Sequence, residues 1–137
     1  MQPLLLDMIT YFQSQGLVEG DGVDAFRDFS PEEPDDIVVL YEYTGSPHVP
    51  HVELAHRSVQ VTVRAKSADN ARNRALELYK SLVTEEETQV IVFTKDEDDE
   101  KLRWGQVYLR QPPALLRRDE SERTVYFFNT GITTNLD

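Results

Sequence analysis

Hydrophobic positions recur with two different periods along this chain, and the periods divide it into elements. Between Pro3 and Gln15, Leu5, Met8, Ile9 and Phe12 fall at i, i+3, i+4 and i+7. They share one face of a helix, and that spacing predicts a core-facing amphipathic segment. Pro3 suits its first turn and Gly16 its C-terminal stop. A second helix is expected over about Ala68 to Val83. Ser67 is its N-cap and Asp69 stands in its first turn. Ala71, Ala75, Leu78, Tyr79 and Leu82 form the buried stripe, and the two small alanines let the helix lie close to a sheet. Arg72 and Arg74 are expected on its outer side.

The period of two marks the strands. Arg57 to Ala65 is the clearest: Val59, Val61, Val63 and Ala65 alternate with Ser58, Gln60, Thr62 and Arg64. One face of such a strand is buried and the other is wet or meets a partner. Ile37 to Tyr43 (IVVLYEY) is β-branched and aromatic, and Thr44-Gly45-Ser46-Pro47 reads as a turn after it. The next stretch holds two prolines and three histidines and is expected to form a long hairpin loop. Thr88 to Thr94 and Arg103 to Gln111 are further strands, joined across the acidic run 96–100. Pro112 and Pro113 are expected to end the second of them. Arg123 to Thr134 is the last strand, with Gly131 as a candidate bulge. Residues 16–36 read as loop, with short extended pieces at Leu17–Val18 and Ala25–Phe29. The order α-β-β-α-β-β-β, with room for one extra early strand, predicts an α+β fold. Its sheet is antiparallel or mixed, with two helices packed on one face and long hairpin loops. One domain over 1–137 is expected, since no linker or repeat divides the chain.

Charge narrows the function. The 137 residues carry 14 Lys and Arg against 25 Asp and Glu, a net charge of −11. A chain this acidic is a poor binder of free nucleic acid or anionic membrane, both of which need positive charge. No cysteine is present, which excludes disulfides, cysteine-ligated zinc and thiol nucleophiles. No apolar run approaches the ~20 residues of a membrane span. MQPLLLDMIT lacks the basic start of a secretory leader, so none is expected.

Candidate chemistry changes little. His48, His51 and His56 lie close in sequence, but within a proline-containing loop and without the spacing of a metal site. The run Asp96, Glu97, Asp98, Asp99 and Glu100 lacks the alternating ligands and glycine of a calcium loop and is expected to be an exposed tip. A metal-dependent nuclease would need an acid before Ala65-Lys66, where the chain has Arg64. There is no G-x-S-x-G elbow, and Gly20-Asp21-Gly22 is no phosphate loop. No enzyme, metal or cofactor is expected. A sheet-and-helix domain with long polar loops suits a protein that works by contact.

Four segments are familiar as a set: LLLDMITYF, IVVLYEYTG, RSVQVTVRAKSADNARNRALELYKSL and the closing TVYFFNTGITTN. Together they resemble the tailed-bacteriophage minor capsid proteins of the tail terminator type, over nearly the whole chain. The block from Arg57 to Leu82 is the most specific part. The resemblance implies a non-enzymatic virion protein, built in the host cytoplasm and placed at the head–tail interface. It implies a six-fold ring that caps the tail tube, stops its growth and offers a face to the head-completion or connector protein. Its partners are then other copies of itself, the tube protein and the connector, while genomic DNA passes through without specific binding. A different neck protein, or a small binding module unrelated to phage, is the competing reading. Candidate subunit or tube contacts are His48, His51, His56, Gln60, Thr62, Arg64, Arg117 and Arg118. Arg64 either forks onto a neighbour's carboxylate or pairs within its own surface. The acids 96–100 are candidates for the lumen or for an exposed tip.

Overall fold

The computed structural model describes residues 3–46, 54–83, 90–95 and 102–135. Helix α1 is Leu4–Ser14 and α2 is Ala68–Ser81. The strands are β1 (Ala25–Arg27), β2 (Ile37–Ser46), β3 (Leu54–Ala65), β4 (Val90–Lys95), β5 (Leu102–Arg118) and β6 (Thr124–Asn135). They form one six-stranded mixed sheet in the order β1-β2-β3-β6-β5-β4. The pair β1–β2 is parallel and every other pair is antiparallel. This is the expected α+β arrangement, with β1 as the extra early strand.

Local chemistry accounts for the helices. The apolar stripe of α1 is buried as its period requires, and Leu4, Met8 and Phe12 are fully inaccessible. At its end Gly16 takes φ +74°, a left-handed value that glycine reaches without a Cβ penalty. The Gly16 amide then donates to the Gln13 carbonyl and the Leu17 amide to that of Phe12. These two bonds satisfy carbonyls that the helix end would otherwise orphan, and Leu17 folds onto the core beside them. Helix α2 starts at Ser67, whose hydroxyl accepts from the Asn70 amide at 3.3 Å. Replacing Ser67 with alanine should cost about 1 kcal/mol, readable as a lower urea midpoint at unchanged slope.

A single apolar cluster lies between the helices and one face of the sheet. Val59, Val61 and Val63 of β3, Val38 and Leu40 of β2, and Phe128 and Ile132 of β6 meet Met8, Phe12, Leu78 and Leu82 there. Tyr79 of α2 stands edge-on to Phe128 at 5.6 Å between ring centroids. The helices also touch each other, since the Tyr11 hydroxyl donates to the Ser81 carbonyl at 2.7 Å. The core pairs β3 with β6 over twelve residues in unbroken register, Leu54 opposite Asn135 through Ala65 opposite Thr124.

Several boundaries differ from expectation. Thr44-Gly45 is no turn, because β2 runs on to Ser46 and absorbs these residues as a register shift after Tyr43. Leu54, Ala55 and His56 belong to β3 rather than to a loop. Pro112 and Pro113 do not end β5, which continues to Arg118. They fall in a register shift between Gln111 and Ala114, where β4 no longer flanks the strand. Proline is tolerated at such a bulge because no ladder bond needs its missing N–H. Gly131 sits in register opposite Ser58 and Tyr108 and is no bulge. Arg74 does not point outward: its guanidinium donates to the Asp24 carboxylate at 2.7 Å. That carboxylate also accepts from the Glu19 and Gly20 amides and so ties the 19–24 loop to α2.

Candidate interaction surface

The helices cover one face of the sheet, and the polar positions of the strands collect on the other. Ser58, Gln60, Thr62 and Arg64 of β3 stand there, beside their register partners Tyr43, Tyr41, Val39 and Ile37 on β2. On the other side are Gly131, Asn129, Phe127 and Val125 of β6. A groove of about 360 Å³ runs over this face. Val39, Thr62 and Val125 form its floor, Asp28 and Ser30 one wall, and Leu116 and Arg117 the other. A second hollow adjoins it through Tyr43 and Gln60 and reaches Gln111 and Asn129. Tyr43 donates to the Gln60 amide oxygen at 2.8 Å, and Asn129 donates to that of Gln111 at 3.0 Å. Burial is the main influence raising the Tyr41 hydroxyl above its usual pKa. The lining mixes hydroxyl, amide and aromatic side chains with the charged groups of Asp28, Glu42, Arg64, Arg117 and Asp119.

One end of this face is roofed by the protein itself, and the reason is topological. Strands β1 and β2 are parallel, so the chain must return along the sheet between Arg27 and Ile37. The returning segment has no strand partner for its carbonyls. Two buried arginines supply the donors. Arg64 Nη2 donates to the Pro34 carbonyl at 2.7 Å and to that of Glu32 at 3.2 Å, and Nε donates to that of Asp35 at 3.2 Å. Arg64 Nη1 reaches Ser30 Oγ at 3.3 Å. Arg123 donates from Nη1 to the Glu32 carbonyl and from Nε to Asp119 Oδ2, the latter at 2.7 Å. Burial, and then the neighbouring Arg123 charge, pull Arg64 below its ordinary pKa. Arg64 stays cationic all the same, as guanidinium does throughout the working range.

Asp119 completes the cluster. Burial works to raise its carboxyl. Hydrogen bonds from the Arg123 backbone and guanidinium, the Arg123 charge and the Ser121 amide outweigh that, and hold it below the usual carboxylate range. Its contribution to stability is therefore complete above the unfolded value of about 4, and is lost as the pH falls through the lower folded value. Asp119→Asn should lower the urea midpoint at pH 7 but have a shrinking effect as the pH drops below that range. An equal gap between variant and parent at pH 7 and pH 2 contradicts this.

The residues singled out from sequence fall into distinct places. Gln60 lies in the groove and is half-buried; Thr62 is on its floor, with its hydroxyl donating to the Val39 carbonyl at 3.1 Å. Arg64 is buried and spends its donors on its own chain, the second of the two alternatives open from sequence. Arg117 and Arg118 are exposed at the end of β5. His56 is exposed on β3, with Nδ1 2.6 Å from Thr133 Oγ1. His48, His51 and the acids Asp96, Glu97, Asp98, Asp99 and Glu100 lie outside the described residues. Among the described residues no group of three or more potential metal ligands comes together, and no helix is long and apolar enough to cross a membrane.

Sequence reasoning missed the exposed apolar side chains around this face. Phe29 is 64% exposed and Tyr43 50%, and Leu116 and Tyr108 stand out beside them. The signals were present: Phe29 stands between two polar residues in an acidic loop, and Leu115-Leu116 follow two prolines. A monomer rarely leaves such residues grouped unless they meet another surface.

A family model described as Bacteriophage tail terminator protein matches residues 11–136, almost the whole chain. No curated protein is matched by the chain.

Proposed function

The chain belongs to the bacteriophage tail terminator family, and on that premise we propose that it closes into a six-membered ring on the end of the tail tube. The family is one of structural tail proteins rather than enzymes, and membership places the chain in the phage virion among other tail and head proteins. In the proposed ring each copy meets its two neighbours through unlike surfaces, a heterologous contact that closes. One face of the ring ends the tube and the other receives the head-completion protein.

The observation that carries this reading is the uncovered sheet face. Its groove is lined by hydroxyl, amide and charged side chains and rimmed by exposed Tyr43 and Leu116. Such a mixture of aromatic anchors and polar donors is what protein interfaces select. Charge supports the passage of DNA. Six copies at −11 each carry −66, and acids turned toward the hole repel phosphates, so the genome slides without sticking. In this reading the acidic run 96–100 is the candidate for the lumen or an exposed tip, and histidines 48, 51 and 56 are candidates for the subunit or tube contacts.

The proposal is tested on growing tail tubes. Added protein should stop elongation at about one ring per tube end, and electron micrographs should show capped ends. Tubes that grow on unchanged, with bare ends, contradict it.

A further inference from the structure

The two flanks of the sheet carry opposite charge. Residues 19–36, which contain β1 and its loops, hold eight acids and one arginine. Strand β5 holds four arginines and no acid, in a chain whose net charge is −11. Strands β2, β3 and β6 separate β1 from β5, about 19 Å along the sheet at the usual strand spacing.

Both flanks also expose apolar side chains. Val23 and Phe29 stand out on the acidic flank, Leu115 and Leu116 on the basic one. Some acids are satisfied within the chain, Asp21 by Arg27 and Asp24 by Arg74. Glu19, Asp28 and Glu33 make no ion pair among the described residues, and neither do Arg117 and Arg118. Among the described residues, no strand pairs with the outer edge of β5 from Val107 onward. Among the described residues, that edge offers backbone groups without a strand partner as well as charge.

We infer that the outer edge of β5 between Gln111 and Arg118 receives the acidic β1 flank of a second copy. Arg117 and Arg118 meet carboxylates such as Glu19 and Glu33, and Leu115 and Leu116 pack against the neighbour's Val23 and Phe29. The two surfaces are different, so the contact propagates head to tail. This rests on the ring reading and assigns its seam. Opposite charge brings the copies together and sets their direction, while the apolar side chains supply the area that holds them.

The test is a reciprocal charge reversal followed by sedimentation and mass measurement. One variant carries Arg117→Glu and Arg118→Glu, the other Glu19→Lys and Glu33→Lys. All four positions are exposed, and far-ultraviolet circular dichroism checks that each variant folds. Each alone presents like charges at the seam and should remain monomeric under conditions where the parent assembles. Mixed in equal amounts, the two should co-assemble with strict alternation, since every seam then pairs opposite charges. Parent assembly should weaken about tenfold or more between low and high salt. Variants that assemble alone as the parent does, or a mixture that stays monomeric, overturn the inference and leave the ring reading in place. A parent that stays monomeric with and without tail tubes overturns both.

Discussion

Replacing Arg123 with methionine is expected to lower the unfolding free energy by about 3 kcal/mol, the usual cost of breaking one side of a buried ion pair. The side chain is 5% exposed and its guanidinium is shared between Asp119, the Glu32 carbonyl and Asp35. Methionine keeps most of the volume but removes the charge and every donor. The Asp119 carboxylate then loses its strongest partner, and the Glu32 carbonyl keeps only Arg64. An unsatisfied buried acceptor costs about 1–3 kcal/mol. The effect should spread into the 28–36 segment, which Arg64 and Arg123 hold jointly. Arg64→Met combined with Arg123→Met should therefore cost clearly less or more than the two changes added, because both guanidiniums serve Glu32. Urea denaturation of the three variants measures this, and additive losses within about 0.5 kcal/mol contradict the shared-clamp account.

Phe128→Ala should be as damaging, at about 3–5 kcal/mol. Phe128 is fully buried at the centre of β6, opposite Val61 and edge-on to Tyr79. It lies where α2 meets the longest unbroken strand pair. Truncation leaves a cavity that the sheet cannot close without moving β3 against β6, and their twelve-residue register resists that. A domain of this size has about 5–15 kcal/mol in total, so the variant should be marginally folded at 37 °C. Thermal melts followed by circular dichroism would show it; a melting point within a few degrees of the parent contradicts the placement of the core.

The sequence carried the fold wherever one period governed a segment. Alternating valines on β3 and the stripe on α1 each answer to a single buried face, and both elements stand where that pattern puts them. Legibility failed where a local rule met a distant partner. Pro112 and Pro113 obey the rule that proline ends a central strand, but here they fall in a register shift of the β5–β6 ladder, and among the described residues no strand lies on their other side. Thr44-Gly45 carries a turn signature that the ladder of β3 overrides. Arg74 occupies the outer half of its helix by periodicity, yet Asp24, fifty residues earlier, draws it in. Arg64 and Arg123 are the same case at the uncovered face of the sheet. Alternation places both outward, and only the return of the chain between two parallel strands gives them carbonyls to hold.

The candidate surface was half legible for a related reason. Gln60 and Thr62 follow from strand alternation, and Arg117 with Arg118 from charge against an acidic background. The groove itself needs the 28–36 segment and the end of β5 to stand on either side of β3. No pattern within either segment announces that meeting. Family membership supplies the context, and the uncovered sheet face is the surface proposed for contact.

The central claim is that this chain closes into a ring that ends the tail tube. Native mass measurement with negative-stain imaging, on the protein alone and mixed with tail tubes, tests it most directly. The account predicts a species of six chains with a central hole, free in solution or seated on the tube end. A chain that stays monomeric in both samples, with tube ends bare, contradicts it.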